Sequence, residues 1–142
     1  MEMTKHAEVI KIKHPVLGYF LNLPWTMVGL ILAIISIPKE VGLKEDAIVF
    51  KVRSFWWTRF TPGMRQLRIR GITNGNVISL GPLEEKNDLA HELVHVRQFM
   101  KKPFIAGFLY WRESKKHGKG LDNKYEREAY ETTGSVYRGL VR

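Results

Sequence analysis

The chain contains no cysteine. That absence excludes a disulfide scaffold, thiolate zinc fingers, iron–sulfur centres and any cysteine nucleophile, so metal chemistry has to come from His, Asp and Glu. Acidic side chains are also scarce: 14 Asp and Glu stand against 23 Lys and Arg, a formal charge of +9 over 142 residues. The excess lies mainly in residues 39 to 83, which carry 8 basic and 3 acidic groups. Such a stretch suits nucleic acid, an anionic membrane surface or an acidic partner, without choosing among them. No internal repeat is present, and no long unbroken hydrophobic run. From Pro15 to Pro38 no side chain carries a formal charge, yet Asn22 and Pro24 interrupt the segment and leave only Trp25 to Ile37 continuous. A bilayer span needs about 20 apolar residues, so a core or interfacial helix is expected here, with a Pro-kinked span as the alternative. Glu2 and Glu8 stand where a signal peptide would be positive, so the expected location is cytoplasmic, with membrane contact through residues 15–38 kept open.

What is present supports a folded chain. The 44% hydrophobic and 11% aromatic content can bury a core, and the length suits a single domain over residues 1–142. Ala47 to Arg53 alternates as a strand does, with Trp56, Trp57 and Phe60 prolonging the β-prone stretch. A second strand is expected over Gln66 to Ile72. The Asn74-Gly75 pair signals a hairpin turn, from which Val77 to Leu80 returns as a third strand. Leu89, Leu93, Val96 and Met100 then recur at helical spacing, with Asn87 or Asp88 as N-cap and Pro103 as terminator. Phe104 to Arg112 reads as a second helix, Lys115 to Gly120 as a basic loop and Lys124 to Leu140 as a third helix. The expected fold is α+β: an apolar N-terminal helix (15–38), a small antiparallel sheet (47–80), and a helical half (84–142) in which an active-site helix is followed by a ligand-bearing one.

The chemistry lies in His91-Glu92-Leu93-Val94-His95. Two histidines four apart share one face of a helix, so both imidazoles can reach a single ion, while Glu92 points to the side as a general base. With 5 His and 11 Glu in the chain, chance would produce this pattern about once in a hundred such sequences. A catalytic zinc site needs a third protein ligand and a position left for water. His117, Asp122, Glu126, Glu128 and Glu131 are all candidates, and the residues alone do not choose. Glu126 has a structural alternative as a capping-box carboxylate returning to Asn123, and Glu128 as a solvated helix-face charge.

The stretch His91 to Gln98, followed by Glu126-Arg127-Glu128-Ala129, resembles the gluzincin group of zinc metallopeptidases. It is most similar to minimal forms related to the integral-membrane CAAX-protease and heat-shock peptidase families. The resemblance covers roughly residues 76 to 137 and implies Zn2+ held by His91, His95 and Glu126, with Glu92 as general base in hydrolysis of a peptide or protein substrate. Glu126 follows from a Glu-x-x-Ala-Asp pattern whose Asp is Tyr130 here, so the group expected to orient a histidine is missing. Gln98, on the same helix face, is a candidate substitute. The resemblance also implies an edge strand that aligns substrate, a role expected of Val77 to Leu80. Tyr125, Tyr130, Tyr137, Arg127 and His117 are candidate oxyanion donors.

Two other classes compete: a zinc-binding protein that is catalytically silent or latent, and a basic nucleic-acid-binding module. The second draws on Lys51, Arg53, Arg59, Arg65, Arg68 and Arg70 interleaved with Phe55, Trp56, Trp57 and Phe60. Nucleic acid is the less favoured reading, because a sheet with one buried and one basic face, or a belt at a membrane surface, explains the same pattern. His6, His14 and His117 are expected in solvated or packing roles, and the oligomeric state is not legible.

Overall fold

The structure, a computed structural model, describes residues 15–65 and 68–138. Its architecture is α+β, with five helices and a four-stranded mixed sheet. In chain order the elements are α1 (Pro15–Leu21), α2 (Leu23–Ile35), β1 (Pro38–Lys44), β2 (Ala47–Val52), a 3-10 turn (Trp56–Phe60), β3 (Gly71–Asn74), β4 (Val77–Leu80), α3 (Asp88–Lys101), α4 (Ile105–His117) and α5 (Lys124–Thr133).

The sheet runs β1-β2-β4-β3. β1 pairs with β2 and β3 with β4 antiparallel, but β2 and β4 are parallel, with Ile48 opposite Val77 and Lys51 opposite Leu80. The expectation of a purely antiparallel sheet is therefore corrected. The cause is the central position of β4, whose four residues are all buried. Ile78 and Leu80 join Ala47, Leu93, Val96 and Met100 in the core beneath α3. Val77 faces the other way, where Gly29 of α2 presses against its Cβ and against Asn74. Successive strand side chains point to opposite faces, so α2 and α3 cover the two sides of β4, and a strand buried on both sides reads as a short apolar run. Because β4 is paired with β2 on one side and with β3 on the other, Val77 to Leu80 is not an edge strand; next to it that place falls to β3.

Local chemistry explains the other departures. β1 has all seven residues exposed, so the short alternation of Val41 and Leu43 with Glu40, Gly42 and Lys44 marks no buried face. Trp56 and Trp57 turn into a 3-10 turn instead of prolonging β2, because their indole N–H groups donate to Ile35 O (2.7 Å) and Ser36 Oγ (2.8 Å) at the end of α2. The expected strand from Gln66 begins at Gly71, with residues 66 and 67 outside the described residues. α4 continues to His117 and α5 stops at Thr133, where Gly134 adopts φ +68 as a left-handed C-cap. Residues 139–142 lie outside the described residues, as do His6 and His14.

The hairpin forms with its turn one place on from the expected pair: Gly75 and Asn76 link Asn74 to its partner Val77, Gly75 has φ +58, and any Cβ there would strike the backbone of Thr26. Glycine is required there both for the left-handed turn and for the approach of α2. Residues 15 to 38 lie mainly in α1 and α2, broken at Asn22. The buried Asn22 ties the break to the end of α3, donating to Phe99 O (3.2 Å) and accepting from Phe104 N–H (3.1 Å). Among the described residues no helix is long and apolar enough to cross a membrane.

Candidate metal centre

α3 carries His91 and His95 one turn apart on a face that is wholly buried, between the sheet and α5. Its start is held by Asp88, which accepts from Glu85 N–H (2.6 Å) and lies 3.3 Å from the Arg70 guanidinium. An acidic group in the first turn also opposes the positive end of the helix dipole. Asn87 stands at the N-cap position but makes no side-chain capping bond.

α5 is started by Asn123, whose Oδ1 accepts from Tyr125 N–H (3.0 Å) and Glu126 N–H (3.3 Å) while its amide nitrogen donates to Gly118 O (2.9 Å) and Ser114 Oγ (3.2 Å). The cap is therefore made by Asn123 alone. The Glu126 carboxylate does not turn back to it but reaches across to α3. Glu126 Oε2 stands 3.0 Å from His91 Nε2 and 3.3 Å from His95 Nε2, and the two nitrogens are 3.2 Å apart. Two imidazole nitrogens and a carboxylate oxygen are a donor set suited to zinc, and ligand bonds of about 2.0–2.1 Å in tetrahedral array put neighbouring donor atoms about 3.3 Å apart. The triangle in the structure has that size.

A second layer aims these atoms. Gln98 Nε2 donates to Tyr125 O (3.1 Å) and Glu128 Oε2 (3.0 Å), which leaves Gln98 Oε1 as acceptor from His95 Nδ1 (2.8 Å). The proton of a neutral His95 is thereby fixed on Nδ1, and the Nε2 lone pair faces the carboxylate. His91 Nδ1 pairs with Ser135 Oγ (2.8 Å), and Tyr110 donates to Glu126 Oε1. Lone pairs and a carboxylate converging in a buried space require a cation. Without metal a proton supplies it: burial disfavours charge on His95, but Glu126 outweighs burial and raises the imidazole to about 9. Burial would lift Glu126, but His95, the hydrogen bonds from both histidines and that from Tyr110 hold it well below the usual carboxylate range.

Glu92 points from α3 toward β3. Thr73 Oγ1 lies 2.6 Å from Glu92 Oε2 and 3.3 Å from Glu92 O. A Cβ on Gly71 would come within 2.7 Å of Glu92 Oε1, so the strand leaves room for this carboxyl only because residue 71 has no side chain. Burial pushes Glu92 up, while His95, His91 and the Thr73 hydrogen bond pull the other way. His91, Glu92, His95, Gln98, Tyr110 and Glu126 line a cleft of about 760 Å3, along which β3 forms one wall. Tyr130 lays its ring 4.4 Å from that of His91. Burial and the Glu126 charge raise its phenol to about 12.

The other candidates separate from the cluster. Glu128 accepts from Gln98; His117, Asp122 and Glu131 are exposed. Of the oxyanion candidates, Tyr130, Tyr137, Tyr125 and His117 line the cleft, while the Arg127 guanidinium donates to Leu121 O. Two of the basic residues weighed for nucleic acid are engaged internally: Arg70 with Glu85 and Asp88, and Lys51 with Glu84 at 3.2 Å. Thr73, Tyr110 and Ser135 had no signal in the sequence, since each acts across 16 or more residues on a helix it does not belong to. Comparison with known protein families, characterised proteins and solved structures returns no match for this chain.

Proposed function

We propose that this protein is a zinc-dependent metallopeptidase that hydrolyses peptide bonds in a peptide or protein substrate. The observation that carries the reading is the convergence of His91 Nε2, His95 Nε2 and Glu126 Oε2 within 3.3 Å of one another beside the Glu92 carboxyl. A zinc ion held there supplies Lewis acidity for a carbonyl and lowers the pKa of a water it binds. Glu92 would serve as general base toward the attacking water and pass the proton to the leaving amine, with Thr73 holding its orientation. β3, at the sheet edge along the cleft, offers unpaired backbone groups to which an extended substrate adds as a further strand. A cytoplasmic location belongs to the same proposal.

The test is zinc content and casein hydrolysis, measured on wild type, His91→Ala, Glu126→Gln, Glu128→Gln and Glu92→Gln. The expectation is one zinc per chain in wild type, Glu128→Gln and Glu92→Gln, loss of zinc in the other two, and no hydrolysis in Glu92→Gln. A wild type that takes up no zinc refutes the site. One that holds zinc and cleaves nothing returns the protein to the silent or latent class.

A further inference from the structure

α1, α2 and α4 present exposed apolar side chains that no other described residue covers. Phe20 is 72% exposed, Ile31 55%, Ile34 65%, Phe108 52% and Trp111 61%. Soluble domains rarely leave so many large apolar side chains together unless the surface binds something. Aromatic residues tie its parts together: Trp25 of α2 packs edge-on against Phe108 of α4 at 5.1 Å and donates to Phe104 O at 2.8 Å, while Trp56 bonds the end of α2 and packs on Phe60.

The rim of this face is basic at both ends. At the end of α2, Arg53 N–H donates to Ser36 O and Ile37 O, which places Arg53 there with Lys39 and Arg59, all three exposed. At the other end, exposed Lys101 and Lys102 precede Pro103, which touches Gly18 of α1, and Phe104, which is bonded to Asn22. Among the described residues no carboxylate lies within 4.0 Å of any of these five cations. The acidic groups nearby are Glu40 in β1 and Asp46, which accepts from the Tyr19 hydroxyl.

We infer that this face seats on the surface of a bilayer containing anionic lipid. An uncharged apolar surface with Trp at its margins and unpaired Lys and Arg beyond them matches the acyl boundary and headgroup layer of such a membrane. A second copy fits less well, because an isologous pairing would bring basic rim against basic rim. α2 has 13 residues, about 20 Å of helix against a hydrocarbon core of about 30 Å. The helices therefore lie in the interface and do not cross. The inference does not rest on the metal site, although the cleft shares Trp25 and Trp111 with this region.

The test is sedimentation of the full chain with phosphatidylcholine vesicles, with and without phosphatidylglycerol, at low and high salt. The wild type is expected to bind anionic vesicles at least about tenfold more tightly than neutral ones, and high salt to remove that preference. Phe20→Ser/Ile31→Ser/Ile34→Ser lowers binding by about tenfold or more at unchanged helicity and melting temperature. Lys39→Gln/Arg53→Gln/Arg59→Gln weakens the anionic preference alone. His91→Ala leaves vesicle binding intact, so this test is independent of the metallopeptidase reading. Absence of binding by the wild type, or binding indifferent to the triple apolar substitution, overturns the inference. So does self-association without vesicles that the same substitution abolishes, since the face would then belong to a second copy.

Discussion

A zinc ion at this centre, as proposed, would be held with an affinity that depends on pH in a way the geometry sets. His95 faces the Glu126 carboxylate with a lone pair that must be covered by either a proton or a metal, and in the metal-free protein its pKa is raised to about 9. Metal binding through Nε2 therefore expels a proton at any lower pH. Glu126 is held well below the usual range, so it is already ionised and adds no proton of its own near neutrality. Each unit of acidification below pH 9 should weaken apparent affinity about tenfold, so going from pH 8 to pH 6 costs about 100-fold, or about 2.7 kcal/mol. Competition with a chromophoric chelator across that range measures the slope. Calorimetry in two buffers of different ionisation enthalpy counts the proton released. The metal-free fold follows the same linkage: a folded pKa raised above the ordinary 6.5 gives stability that is fully present below pH 6.5 and lost as pH rises through about 9. The loss is on the order of 3 kcal/mol, and zinc-loaded protein should not show it. An affinity that stays flat from pH 8 to pH 6 would refute the reasoning, because the donors could not then be competing with a proton.

Three further outcomes follow from single side chains. Thr73→Val leaves the buried Glu92 carboxylate without the 2.6 Å bond from Oγ1. Hydrolysis should fall at least about tenfold with zinc retained, and Thr73→Ser should restore it; a fully active Val variant would remove Thr73 from the site. Gly71→Ala puts a Cβ 2.7 Å from Glu92 Oε1 and 2.9 Å from its Cγ. Loss of hydrolysis at normal zinc content is expected, checked by rate and metal analysis on the same sample. Asn123→Ala removes the fully buried cap of α5 and should cost about 1–2 kcal/mol in a denaturant melt. Zinc affinity should weaken with it, because Glu126 sits in the first turn that Asn123 holds.

Much of the candidate site was legible because it is local. Helix geometry puts residues four apart on one face, so His91 and His95 needed only α3 to form. Asn123 caps α5 through bonds to residues two and three ahead, and Gly75 turns the chain at its own position. The choice between Glu126 and Glu128 was of another kind. Two residues apart on a helix, they point to different sides, and only the docking of α5 against α3 sends Glu126 to the histidines and Glu128 to Gln98. The sheet follows the same division. A short apolar stretch marks Val77–Leu80 as a strand, but its parallel pairing with β2 and its place between α2 and α3 are set by which faces can be buried together. β1, wholly exposed, carries only the brief Val41 and Leu43 alternation and buries neither face. The amino-acid order by itself thus determined the helices, the turn and the paired histidines, since their spacing and capping act within a few residues. Tertiary packing alone decided the third member of the cluster, the edge strand and the hydroxyls that aim Glu92, His91 and Glu126, because those contacts join residues distant in the chain whose partners are set only when the core closes.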